Sequence, residues 1–198
     1  MAGVTIDMVK ALREKTQAGM MDCKNALEEA GADMTRAEEI LRVKRKTIAD
    51  KKGATREAGV GVIATYTHGE GRIGSMVELR CETDFVARGE DFQRMLKDLC
   101  LQIAASSPLV VERSQMDQDV LDKEREIYAE QMREQGKDEQ RIPQIIEGML
   151  EKNFFKNSVL LEQAFVKDPS TSIGDMISDL SGRTGEKVVI RRFARFEV

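Results

Sequence analysis

Residues 72–88 read RIGSMVELRCETDFVAR, and a change of period inside them decides the fold. Up to Cys81 the period is two. Ile73, Ser75, Val77, Leu79 and Cys81 face one way, and Gly74, Met76, Glu78 and Arg80 face the other. Successive side chains leave opposite sides of a strand, so this pattern predicts a strand with one buried face. Beyond it the spacing becomes helical. Phe92, Leu96, Leu99 and Ile103 form the inner stripe of a helix from about Glu90 to Ala105, and Ser106-Ser107-Pro108 ends it. The stretch between, CETDFVAR (residues 81–88), is where the backbone must turn, and there Asp84 stands beside Phe85. Two readings of Phe85 are open. It is the first core residue of the next helix, with Thr83 or Asp84 as cap. Or, since Val86 and Phe92 already supply apolar mass, it is an acidic-aromatic wedge projecting from a rigid corner, the kind of anchor that dominates interfaces.

Upstream, Val62, Ala64 and Tyr66 alternate with Ile63, Thr65 and Thr67, and the glycine-bearing turn HGEGR follows. Strands at 60–67 and 72–81 therefore pair as a hairpin. Residues 1–53 read as three helices. Thr5 caps the first, whose apolar face is Ile6, Val9 and Leu12. Thr16-Gln17-Ala18-Gly19 breaks it. The second carries Cys23, Ala26, Leu27 and Ala30 and ends at Gly31. The third starts near Met34 or Thr35, buries Ala37, Ile40 and Leu41, and runs through the basic tail VKRKTIADKKG to Gly53. Residues 54–59 read as a linker. The predicted organisation is thus 1–53 and 54–198.

Downstream, a helix over about 118–135 turns Val120, Leu121, Ile127, Tyr128 and Met132 inward. Another runs from about Glu139 to Phe155 with Pro143 in its first turn, and a short one covers about Ile173–Leu180. The closing KVVIRRFARFEV alternates as a third strand. The fold class is α+β: a three-helix bundle, then a small antiparallel sheet packed with helices.

Composition narrows the function. The 198 residues carry 31 basic and 35 acidic side chains, a net charge of −4, which argues against a general nucleic-acid binder. No apolar run approaches the ~20 residues of a membrane span, and MAGVTIDMVK lacks a signal-peptide core. Cys23, Cys81 and Cys100 are too scattered for a zinc site and read as buried, reduced thiols of a cytoplasmic protein. GEGRIG lacks the phosphate-loop spacing, His68 is the single histidine, and no Ser or Cys has an identifiable base beside it. Binding is a better-supported occupation than covalent catalysis. Besides the corner, two features stand out. Met20-Met21 cannot both sit centrally in one small core, because adjacent helical residues point about 100° apart; core plus partly exposed neighbour, or a soft partner surface, are both open. Arg191, Arg192 and Arg195 are a nucleic-acid stripe or, more in keeping with the acidic charge, a solvated sheet face with internal ion pairs.

At this point the residues carry a resemblance. TIDMVKALREKTQAGMMDCKNALEEAGADMTRAEEILR, CETDFVAR followed by DFQ, and the closing VVIRRFARFEV resemble the elongation factor Ts family of bacteria, in its short, single-core form. The departures noted are Gln17, where members often have Gly, Glu82, where Gln is common, and Val60. The resemblance implies a ubiquitin-associated-like bundle at 1–53 and an α/β core and dimerisation domain at 54–198. It implies guanine-nucleotide exchange on elongation factor Tu during translation, with no covalent chemistry and no cofactor. Thr83, Asp84, Phe85 and Val86 would press into the partner's nucleotide domain and dislodge its magnesium. Leu12, Arg13, Met20 and Met21 would grip that domain, and His68 would face a second one. A homodimer would replace the duplicated core of longer members; no direct contact with nucleic acid or membrane is implied. The rival class is a ubiquitin-associated-type binding module without exchange activity, for which the TDFV corner would be unnecessary. A small hydrolase is the other rival, and it lacks an oriented nucleophile.

Overall fold

A computed structural model describes residues 3–16, 18–53 and 56–198, with side chains described outside 45–53. Gln17, residues 54–55 of the expected linker, and the side chains of Arg45 to Gly53 in the basic tail lie outside the described residues. Two compact units are present. One takes residues up to Gly61 together with Arg80–Gly89 and Ile177–Val189; the other takes Val62–Leu79, Glu90–Met176 and Ile190–Val198.

The first unit opens with α1 (Ile6–Thr16), α2 (Met20–Glu29) and α3 (Met34–Gly53). Each start has a local cause. The Thr5 hydroxyl accepts the Met8 N–H at 3.3 Å, and the Asp33 carboxylate accepts that of Arg36 at 3.0 Å. Gly31, at φ 65°, lets the chain leave α2, and the Ala32 N–H returns to the Leu27 carbonyl at 2.8 Å. Val9, Leu12, Cys23, Leu27 and Leu41 fill the bundle, while Ala26, Ala30 and Ala37 let the helices approach closely. Ile6 corrects the expected face: it is exposed, and Met8 packs in its place. Six residues at 100° each put Ile6 about 120° around the helix from Leu12, off the stripe. The described part of the expected linker, Arg56–Gly59, is irregular yet tethered. Arg56 donates to the Gly185 carbonyl at 2.9 Å, and Lys187 Nζ donates to the Arg56 carbonyl at 3.0 Å.

The hairpin is β1 (Val60–His68) and β2 (Ile73–Cys81), and β5 (Val189–Glu197) pairs beside β2 to give a small antiparallel sheet of order β1-β2-β5. The face predicted for β2 is buried at Ser75, Val77, Leu79 and Cys81. In the second unit, helix α5 (Glu90–Ser106) buries Phe92, Leu96, Leu99 and Ile103 as its spacing requires. Polar bonds tie it to the sheet: Ser75 Oγ donates to the Cys100 carbonyl at 2.8 Å, and Arg195 Nε to that of Ala104 at 3.1 Å.

The rest of the second unit departs from expectation in three places. Helix α6 (Gln118–Glu134) is one, because Val120 and Ile127 are exposed. The inward stripe is Leu121, Tyr128 and Met132, and each exposed residue sits one position, about 100°, before a member of it. The helix expected over 139–155 is broken: α7 (Ile142–Met149) widens into a π-type turn at Leu150–Phe154 before α8 (Phe155–Ser158). That turn lets Phe154 and Phe155 both pack beside Met132, Ile142, Ile146 and Leu150, edge to face at 5.8 Å. Arg113 lies over the Phe155 ring and grips Glu151 and Glu162, whose hydrogen bonds hold the guanidinium above its ordinary range. Third, a hairpin of β3 (Ala164–Phe165) and β4 (Asp168–Ser172) was not foreseen. Two residues and a Pro-bearing polar stretch show no alternation to read. Helix α9 (Ile173–Thr184) starts where expected and runs one turn longer.

Candidate functional site

Between β2 and α5 the chain forms a separate helix of five residues, α4 (Asp84–Arg88). Thr83 is extended, at φ −129° and ψ 154°, and its hydroxyl accepts the Val86 N–H at 3.4 Å. The Ala87 N–H reaches the Thr83 carbonyl at 3.2 Å. Gly89, at ψ 144°, stops the helix and starts a new direction. A β-carbon there would stand 3.1 Å from the Val86 carbonyl oxygen, so the tight break suits glycine. This break decides the two readings of Phe85. Because α4 is not the first turn of α5, Phe85 does not share the stripe of Phe92. Val86 and Ala87 are buried and anchor the turn, whereas Phe85 is 88% exposed. Asp84 is exposed beside it, paired with Arg88 at 3.3 Å.

Exposed aromatic, exposed carboxylate and buried anchors make a rigid projection. Its base is held from far along the chain. Glu186 accepts the Thr83 N–H at 3.0 Å and the Thr83 hydroxyl at 2.6 Å, across 103 positions of sequence. Cys81 Sγ donates to the Thr83 carbonyl at 3.2 Å, and burial, then the Glu186 charge, push that thiol up from its usual range. Cys100 is raised by burial as well, and all three cysteines are free and buried.

The other sequence candidates are placed as follows. Arg13, Met20 and Met21 are exposed on α1 and α2. Leu12 is not: it has no exposed surface. Its expected role as a direct contact is corrected to one of support, since its position on the Val9 stripe turns it into the bundle. His68 ends β1 in the second unit, exposed, with Nδ1 2.9 Å from the Tyr66 hydroxyl and the two rings stacked at 6.0 Å. The arginines on β5 are largely engaged within the protein. Arg192 pairs with Glu78 at 2.7 Å and Arg195 with Glu197 at 2.6 Å. Sequence reasoning missed Gly89 and Glu186. A glycine eight residues after the strand end was a visible signal for a break; no local signal links Glu186 to the corner.

A sequence model of the family described as Elongation factor TS matches residues 4–198. The chain belongs to the elongation factor Ts family. Its relatives agree over nearly their whole length. The elongation factor Ts of Caldanaerobacter subterraneus subsp. tengcongensis is 48% identical over 194 residues, 98% of this chain and 96% of that one. Those of Desulforamulus reducens and Myxococcus xanthus are 48% and 49% identical, each across 100% of this chain and 90% of their own. Membership of the elongation factor Ts family makes this a translation elongation factor, and it confirms the resemblance carried by the opening helices, the TDFV corner and the last strand. Among the described residues no helix is long and apolar enough to cross a membrane.

Proposed function

We propose that the protein is a guanine-nucleotide exchange factor that binds elongation factor Tu·GDP and speeds GDP release so that GTP can bind. The observation that carries this is Phe85: a large apolar ring left 88% in solvent on a capped, anchored turn. Isolated exposure of a phenylalanine costs solvation, and a partner pocket recovers it. Inserted between helices of the partner's nucleotide domain, the ring holds them in an arrangement in which the magnesium ligands are displaced. Asp84 adds negative charge at the same place. Once magnesium is misplaced, the GDP phosphates lose their main charge compensation and the nucleotide leaves. Nucleotide must weaken the factor's grip by the same ratio, so incoming GTP expels it. No covalent step occurs and the factor needs no cofactor of its own. Arg13, Met20 and Met21 supply a second contact with the nucleotide domain, and His68 a contact with another domain. The work is cytoplasmic, where translation runs.

The factor acts as a homodimer. On the outer face of the sheet, Ile63 and Met76 are exposed and, with Arg192, Phe193 and Ala194, line a hollow of about 390 Å³. A second copy covers such a face about a two-fold axis. At the last strand Val188 and Ile190 are buried within the protomer, and Phe196 is the exposed apolar residue of β5. The test of the main reading is release of labelled GDP from elongation factor Tu with and without the protein. A rate that does not change leaves the binding-module alternative.

A further inference from the structure

The corner is gripped by two glutamates: Glu186 binds the backbone of Glu82 and Thr83, and Glu82 binds the backbone of Lys187. The Glu186 carboxylate accepts three donors from the strand end: the Glu82 N–H at 3.1 Å, the Thr83 N–H at 3.0 Å and the Thr83 hydroxyl at 2.6 Å. In return the Glu82 carboxylate accepts the Lys187 N–H at 2.6 Å. Arg56 joins the two segments, 3.4 Å from the Glu82 carboxylate and 2.9 Å from the Gly185 carbonyl. Gly185, at φ 71°, turns the chain after α9 so that Glu186 and Lys187 run alongside the corner. None of these residues is needed to cap α4, because Thr83 already does that. What the clamp adds is a fixed position for Thr83, the residue from which the whole five-residue turn departs. Bonds from a charged carboxylate to backbone N–H groups are among the stronger ones, and two of them on adjacent residues fix the local peptide planes.

We infer that Glu186 is a positioning residue for nucleotide exchange: it holds Thr83, and through it the direction in which Phe85 projects. The inference rests on the wedge reading of Phe85. A wedge transmits force only if its base is stiff. Without the clamp the turn still forms, but it samples a range of directions, and the share aimed at the partner falls.

The geometry separates position from charge. In Glu186→Gln, the side-chain oxygen takes the two backbone donors and the amide NH₂ can donate to the Thr83 hydroxyl, so the clamp survives. In Glu186→Ala it is gone. Three measurements on the full-length protein test this. Amide hydrogen exchange at Glu82 and Thr83, which needs no partner, should speed up by about tenfold or more in Glu186→Ala and change little in Glu186→Gln. GDP release from elongation factor Tu at saturating factor should fall by about tenfold in Glu186→Ala and stay within about threefold in Glu186→Gln. Adding Glu186→Ala to a Phe85→Ala background should cost little further rate, because the clamp acts through that ring. Equal losses in both backgrounds would overturn the inference, as would normal release in Glu186→Ala despite unprotected amides. A wild-type protein that releases no GDP, or a Phe85→Ala variant of full rate, would instead remove the wedge reading itself.

Discussion

Replacing Phe85 with alanine separates the function of this side chain from its place in the fold. With 88% of its surface in solvent, about a tenth of the ring is held by the protein. Full burial of a phenylalanine is worth about 1.5–3 kcal/mol, so the fold loses only about 0.2–0.4 kcal/mol on truncation. A chain of this size shifts its Tm by about 2–4 °C per kcal/mol, which places the expected change at about 1–2 °C or less. Alanine's better helix propensity in α4 works against even that. A core phenylalanine would behave otherwise, at about 3–5 kcal/mol. In the complex the arithmetic reverses. If the exposed ring is buried by elongation factor Tu in the exchange-competent state, its loss removes most of 1.5–3 kcal/mol, or about 10- to 150-fold in rate. Stopped-flow release of a fluorescent GDP, with the factor saturating, reads that number, and a melting curve on the same sample reads the other. Release within about threefold of wild type would refute the wedge. So would a fall in Tm of about 10 °C, since it would mean that the ring supports the fold.

Three further outcomes are expected. Met20→Ser with Met21→Ser should weaken calorimetric affinity for elongation factor Tu by about tenfold, as loss of two exposed apolar contacts implies, with Tm nearly unchanged; Leu12→Ala should instead destabilise the bundle by about 2–5 kcal/mol. Unaltered affinity in the methionine pair would remove that contact from the proposal. Phe196→Asp with Ile63→Lys should shift sedimentation equilibrium from about 44 kDa toward the 22.2 kDa protomer and lower exchange with it, and a wild-type protein that is already a fully active monomer would end the dimer reading. Burial, with the Glu124 hydrogen bond behind it, pushes Tyr128 up to about 12. Because the folded value is raised, the stability it contributes is intact below the ordinary tyrosine range and lost as pH rises from about 10 through 12. Ultraviolet titration should show a late ionisation that Tyr128→Phe removes; its persistence in the variant would place the late group elsewhere.

What the sequence determined by itself was periodicity and punctuation. Alternation over Ile73–Cys81 and in the last strand, and the stripe Phe92-Leu96-Leu99-Ile103, each encode a local geometry that exposes the same residues whatever surrounds it. Caps at Thr5 and Thr83 and the exit at Gly31 are equally local. The errors fell where position depends on neighbours. Val120 and Ile127 are apolar and near a stripe, yet burial ended one residue away, because about 100° of rotation separates inside from outside on a helix, and Ile6 is likewise turned out, about 120° from Leu12. The π-type turn at Leu150–Phe154 exists to seat two adjacent phenylalanines, and a regular helix predicted from spacing has no place for them. Phe85 is the sharpest case. Its neighbours allowed it to be either core or projection, since an aromatic after a cap suits both. Tertiary structure decided it by breaking the chain at Gly89 and burying Val86 and Ala87 in its stead. The bonds from Glu186 that hold the corner come from 103 residues away, and a pairing at that distance leaves no periodic mark in either segment.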